Sequence, residues 1–201
     1  MDQRDVDRAV AELLAVLGPQ ANAPGWQARA GTLEWTCRET AVHVGHDLLA
    51  YAGQLAGRPD AGYLPFDLTV PARATPAEVL RVVAACGGLL GSALATAAPG
   101  TRAWHYGPCD PAGFAAMGVA EVLLHTYDIT RGLGLPWLPP AALCAAVLAR
   151  LFPGAPAGDP VQVLLWSTGR AELDGRPRPT SWSWQAAVGR TDAPTETQHR
   201  P

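Results

Sequence analysis

Glu121, His125 and Asp128 carry the clearest chemical signal in the sequence. In the run PAGFAAMGVAEVLLHTYDIT they stand four and three residues apart, in step with Phe114, Met117, Gly118 and Leu124. That spacing puts all of them on one helical face. Phe, Met and Leu mark the face as core-facing, where an unpaired carboxylate or imidazole is strongly unfavourable unless it is paired or binds a cation. Glu and His at i and i+4 can ligate one ion, and a second histidine would complete a His₂Glu set. Such a set suits a catalytic zinc with a coordination position left open. Nickel, iron and manganese accept the same donors.

His43 is the leading candidate for the third ligand. It lies early in a helix, off the dense apolar stripe of Ala41, Gly45, Leu48, Ala52 and Leu55. It is therefore either a surface residue or a group pointing into a cleft, and spacing alone favours the surface. Around these residues the alternatives also stay open. Asp128 either orients a ligand histidine or pairs with Arg131 or Arg102 at the helix end. His46, one turn beyond His43, faces the cleft or is solvated, and Asp47 reads most simply as solvated. Trp104, His105 and Tyr106, with Met117 on the ligand helix, are candidates for the pocket wall against ordinary packing. Trp26 and Trp35 read as packing anchors, as do Trp166, Trp182 and Trp184 rather than as a stacking platform.

Composition removes other chemistries. All fifteen basic residues are arginine, so there is no lysine for a Schiff base or a phosphate loop. No serine sits in a G-x-S-x-G turn; Ser92 follows Gly91 in an Ala/Leu-rich run. Cys37, Cys86, Cys109 and Cys144 form no C-x-x-C pair, which argues against a disulfide scaffold and a cysteine zinc site. A net charge of −3 without a basic cluster excludes a nucleic-acid surface. The charged N-terminus MDQRDVDRAV has no apolar signal core, and no run reads as a membrane span, so a cytoplasmic location is expected.

The elements that must position these residues are helical. The spacing predicts a first helix over 5–17, stopped by Gly18-Pro19. A second starts at the capping box Thr36-Cys37-Arg38-Glu39 and runs to about Gly57; a third starts at Thr75-Pro76-Ala77-Glu78 and ends near Ala98. Residues 101–110 read as a loop. A fourth helix of about twenty residues follows Asp110-Pro111, and a fifth runs from Pro139-Pro140 to Phe152. Together they give an all-α, up-and-down four-helix bundle with an additional helix. The bundle spans 1–152, a short C-terminal extension over 153–188 is expected to pack on it, and 189–201 reads as a disordered tail.

The segment WTCRETAVH, from Trp35 to His43, resembles the W-t-x-r-d-l-x-x-H opening of the DinB-like, mycothiol-dependent maleylpyruvate isomerase family. GVAEVLLHTYD, from Gly118 to Asp128, resembles that family's E-x-x-x-H-x-x-D helix, and the closing LLWSTGR…WSW looks like the tail of its shorter members. The resemblance covers about residues 5–135. It implies a DinB-like bundle with His43, Glu121 and His125 as metal ligands, and mycothiol as cosubstrate. No substrate-binding arginine of the isomerase maps onto a particular position.

The activity this implies is metal-assisted S-transfer to, or isomerisation of, a small electrophilic substrate by a low-molecular-weight thiol. The partners expected are thus two small molecules, with no nucleic acid and no membrane, in a monomer or homodimer. Two rivals remain: a metal-hydroxide hydrolase or lyase, and a non-catalytic metal-binding domain.

Overall fold

The computed structural model describes residues 1–189. It contains six α-helices: α1 (Gln3–Leu17), α2 (Cys37–Gly57), α3 (Pro76–Thr96), α4 (Pro111–Gly132), α5 (Ala141–Leu151) and α6 (Pro160–Ser167). The fold is all-α, as expected. The first helix begins two residues earlier than its spacing predicts, because Asp2 and Asp5 form a capping box of their own. The boxes at Thr36/Glu39 and Thr75/Glu78 form as read, each Glu accepting from the backbone N–H of its Thr.

Both α1 and α2 pack against α3 and α4, which places α1 diagonally from α2 and α3 diagonally from α4. The apolar core fills the space between them. α4 is buried on almost every side, from Gly113 to Thr130 with only Tyr127 half-buried, because α5 covers the flank that α1 and α2 leave. The spacing that predicts one core-facing seam on this helix is therefore too narrow. Glu121, His125 and Asp128 sit in a helix with no solvent face.

Three segments differ from the sequence reading. The 101–110 loop contains a short antiparallel ribbon, β1 (Ala103–Trp104) with β2 (Pro108–Cys109), turned by Tyr106 at φ 50° and Gly107 at φ 141°. The apolar stretch after Asp159 is the helix α6, started by the Asp159 carboxylate accepting from the N–H groups of Val161 and Gln162. Finally, α3 is 21 residues long and contains an 18-residue stretch with a mean hydropathy of 1.7, so by length and composition it is apolar enough to cross a membrane. Its valines and leucines raise that average. In the fold, Val79, Leu80, Val83, Cys86 and Leu90 turn inward to pack within the bundle.

The C-terminal segment returns to the bundle. The Arg150 guanidinium donates to the Asp110 carboxylate and to the carbonyls of Gln185 and Ala186, and the Val188 N–H donates to the Pro108 carbonyl. The tail read as disordered lies outside the described residues, Gly189 excepted.

Close approach at the end of α4 is testable. A Cβ at Gly132 would lie 2.4 Å from the Arg29 carbonyl oxygen and 2.5 Å from Cys37 Sγ, whereas one at Gly88 on α3 meets nothing within 4 Å. We expect Gly132→Ala to cost about 1–3 kcal/mol, as overpacking against backbone does. Gly88→Ala should stabilise by about 0.5–1 kcal/mol through helix propensity. Urea denaturation of the two variants measures both; effects of the same sign would contradict this packing.

Candidate metal centre and cavity

Helix α4 carries Glu121 and His125 one turn apart, and α2 brings His43 against them. His125 Nε2 lies 3.1 Å from Glu121 Oε2, and His43 Nε2 lies 3.8 Å from the same oxygen. One donor atom from each of the three falls within 4.8 Å of the others. His43 is thus a cleft residue, and the surface alternative that spacing favoured is wrong, because α2 turns this edge toward α4. Trp35, read as a packing anchor, stands over the site with its ring 4.6 Å from His43.

Asp128 settles between its two alternatives. Its Oδ2 lies 3.0 Å from His125 Nδ1, and neither Arg131 nor Arg102 is its partner. The partner is Arg170, just beyond α6, whose Nη2 lies 2.6 Å from Oδ2 and whose Nε lies 3.0 Å from Oδ1. A carboxylate holding one imidazole nitrogen fixes the ring and leaves the other nitrogen facing the site. Nothing in the local sequence announces Arg170, which is 42 positions from Asp128.

The electrostatics follow from burial and neighbours. Burial alone would depress the His125 pKa, but the Asp128 and Glu121 carboxylates outweigh it and lift the value to about 9. Burial would likewise raise Glu121, yet His125, His43 and Arg170 hold it below the usual carboxylate range. His43 is lowered, chiefly by burial. Without an ion, the His125 imidazolium therefore donates to both carboxylates and supplies the positive charge that the buried Glu121 needs.

His46 and Asp47 also differ from the solvated reading. Asp47 Oδ2 lies 3.2 Å from His43 Nε2, and its Oδ1 accepts from His46 Nδ1 at 3.0 Å; His46 also reaches Asp67 at 3.1 Å. His43, His46 and Asp47 form a second group of donors within reach of one ion, sharing His43 with the first. Burial and the nearby Glu121 push the Asp47 pKa up. Asp47, Tyr51 and Gln54 follow His43 at steps of four, four and three, which is the signature of one helical face and was legible in the sequence.

That face of α2 walls a cavity of about 800 Å³. Glu121, His125 and Asp128 close one side; His105, Tyr106 and Tyr63 form another, and Arg170, Arg178 and Trp182 complete it. Trp182 is therefore a cavity residue, whereas Trp166 and Trp184 do not line it. Two pocket candidates fail. Met117 is fully buried in the core, and Trp104 packs on Tyr63 and Tyr106 outside the cavity lining.

None of the four cysteines reaches this space. All are buried, and burial raises each thiol, Cys109 and Cys144 up to about 12.

Residues 4–130 match the sequence profile of the mycothiol maleylpyruvate isomerase N-terminal domain. The chain belongs to this family. No curated protein and no solved structure matches it. The family match spans α1 to the end of α4 and includes His43, Glu121, His125 and Asp128. Arg170, Arg178 and Trp182 lie beyond it.

Two measurements test this arrangement. The His125 pKa is raised from 6.5 to about 9 on folding, so its stabilisation is complete below about pH 6.5 and lost as pH rises through about 9. In EDTA, the urea midpoint should fall across that window, and His125→Gln should show a shallower decline; identical slopes would refute the assignment. Separately, Arg170→Ala leaves Asp128 buried with only His125 as partner. We expect a loss of about 3–5 kcal/mol by denaturation, and a loss under about 1 kcal/mol would show the pair to be a solvated one.

Proposed function

We propose that this chain is a divalent-metal-dependent enzyme in which a low-molecular-weight thiol, mycothiol by family, adds to a small electrophilic substrate for S-transfer or isomerisation. The observation that carries this reading is the opening of the His43–Glu121–His125 group onto a cavity large enough for a thiol and a small molecule together. The donor set fits a divalent ion: two imidazoles and one carboxylate, with Asp128 orienting His125 from behind. Zinc is the first choice, with nickel, iron and manganese as alternatives.

Bound there, an ion would supply the positive charge that lowers the pKa of a thiol entering the cavity. The protein's residues do the rest. His43, Glu121 and His125 hold the charge in place, Asp128 and Arg170 keep the His125 ring from turning, and Trp35 covers the His43 edge. The nucleophile comes from outside because no cysteine of the chain lines the cavity. Its cysteines are buried with raised pKa values, it has no lysine, and Ser181 is the one serine on the cavity wall. A thiolate is the species that attacks, and the chain contributes the site that favours it.

Zinc-loaded protein should bind mycothiol and accelerate its addition to a small electrophile, with turnover rising as the thiol ionises. His43→Ala and His125→Ala should each lower metal affinity by a factor of at least about 10, while His46→Ala should change it little. Elemental analysis with a chelator competition measures the metal affinities, and turnover with and without thiol at fixed metal measures the thiol dependence. Equal turnover in both would replace this reading with a metal-hydroxide enzyme, and absence of thiol binding and turnover would leave a non-catalytic metal-binding domain. Loss of metal on His46→Ala but not on His43→Ala would move the centre to the second donor group.

A further inference from the structure

From His43, Glu121 and His125 a line of further donors continues toward the surface. Asp47 Oδ2 lies 3.2 Å from His43 Nε2, its Oδ1 lies 3.0 Å from His46 Nδ1, and His46 Nε2 lies 3.1 Å from Asp67 Oδ1. Side-chain exposure rises from 8 % at Glu121 through 27 % at His43 and 39 % at His46 to 76 % at Asp67, with Asp47 at 15 %. His43, His46 and Asp67 also wall a second hollow of about 370 Å³ beside Trp35. Both histidines line the main cavity as well, whereas Asp67 faces the second hollow alone.

Two sets of three donors can each hold an ion: His43 with Glu121 and His125, and His43 with His46 and Asp47. The donor atoms of each set lie within 4.8 Å of one another. The sets share His43. Its Nε2 is the nitrogen that faces both Asp47 Oδ2 at 3.2 Å and Glu121 Oε2 at 3.8 Å, and an imidazole nitrogen offers a single lone pair. Through that nitrogen the two sets serve one ion in turn, not two ions at once. They also differ in depth. Glu121 and His125 are buried, whereas every member of the outer set is half-buried.

The outer donors are not needed to hold the loop that carries Asp67. Leu68, Phe66 and Leu64 already seat it on α2, against Gly45, Gly53 and Gly57 in turn, where a Cβ would crowd each side chain. A carboxylate as exposed as Asp67 adds little to stability by pairing with an imidazole. The pairing instead keeps nitrogen and oxygen donors together at the wall of the hollow. Arg38 lines the same hollow, but its guanidinium donates to the carbonyls of Pro71 and Ala74. A divalent ion must lose its water to be buried, and losing it all at once is costly. Donors at intermediate depth replace that water by stages.

We propose that His43, His46 and Asp47 form an outer acquisition site for a divalent ion, with Asp67 drawing the ion in and His43 passing it to Glu121 and His125. The proposal rests on the metal reading above. The ligand is a hydrated first-row divalent cation, which accepts this mixture of imidazole and carboxylate. The transfer is a ligand exchange without change of oxidation state. His46 and Asp47 let go as Glu121 and His125 take hold, and His43 stays attached throughout. The outer set thus governs how fast the centre fills and empties, and the inner set governs how tightly it holds.

The test loads metal-free protein with Co²⁺ and follows the visible absorption of the bound ion by stopped flow. His46→Ala should slow loading at least about ten-fold, the low end of what a charged cleft adds to an association rate. Release to excess chelator should slow by the same factor and leave the Kd unchanged, because removing a way-station affects both directions alike. Asp67→Asn should slow loading less, by an amount that shrinks as salt is added. In a Glu121→Gln, His125→Ala double variant the outer set should still bind Co²⁺, more weakly, and adding His46→Ala should abolish that binding. The kinetic comparison changes a half-buried residue and decides the matter even where the double variant does not fold. Unchanged rates in His46→Ala, a Kd that weakens along with them, or a folded double variant that binds no Co²⁺ would overturn the acquisition site and keep the inner centre. Failure of the unaltered chain to bind Co²⁺ would discard the metal reading, and this proposal with it.

Discussion

A line of polar contacts through the middle of the bundle constrains everything else: His43, Glu121, His125, Asp128 and Arg170, with adjacent members 2.6–3.8 Å apart. Glu121, His125 and Asp128 lie within two turns of a helix that has no solvent face. Removing any one partner leaves a charge in an apolar interior, where the interaction lost is larger than at a surface. The remedy cannot come from α4 itself. It needs an imidazole from α2 and a guanidinium from the segment after α6, so three distant parts of the chain must assemble for one helix to be buried. The site is thus a condition of the packing as well as a place for chemistry.

That condition explains the sign of the local pKa values. Burial acts against every charged form, and the neighbours decide which groups keep their charge. Glu121 has the His125 imidazolium beside it, Asp128 has both His125 and Arg170, and both stay ionised, whereas Asp47 is pushed up by burial and by Glu121. His105 has no carboxylate in contact, and burial alone carries it down to about 4. The cavity therefore has a charged end, where a cation is favoured, and an end of neutral donors, where an uncharged or partly charged oxygen is favoured.

What was legible in the sequence was local. The Thr36/Glu39 and Thr75/Glu78 boxes are four-residue signals whose geometry is complete within about one helical turn, and both form as spelled. Glu121, His125 and Asp128 declare themselves by period alone. The helix α6 was missed although Asp159-Pro160 repeats the Asp110-Pro111 start of α4, because eight residues are too few for an apolar period to separate helix from strand. The site's remaining members depend on contacts between distant segments. Arg170 meets Asp128 across 42 residues, Tyr63 meets His105 across 42, and Trp184 meets His105 across 79. No spacing rule reaches that far. Asp47 and Tyr51 stand between these cases: their period with His43 was visible, but whether that face met solvent or a cavity depended on what packed opposite.

The division between local and distant contacts also falls along the family match. The three metal-ligand candidates and Asp128 lie inside residues 4–130, on α2 and α4, where one helix–helix contact fixes their relation. The residues that enclose the cavity on the far side, Arg170 through Trp182, lie outside it and are held by different means: the Asp128–Arg170 pair at one end and the Arg150 contacts to Gln185 and Ala186 at the other. Arg170 belongs to both sets, since it pairs with the Asp128 carboxylate that holds His125 and it opens the enclosing segment. A change in the segment after α6 would alter what the cavity admits while leaving the donor atoms where α2 and α4 place them, provided Arg170 is kept. The donor atoms and the far wall of the cavity are thereby carried by separate stretches of chain, joined at one buried ion pair.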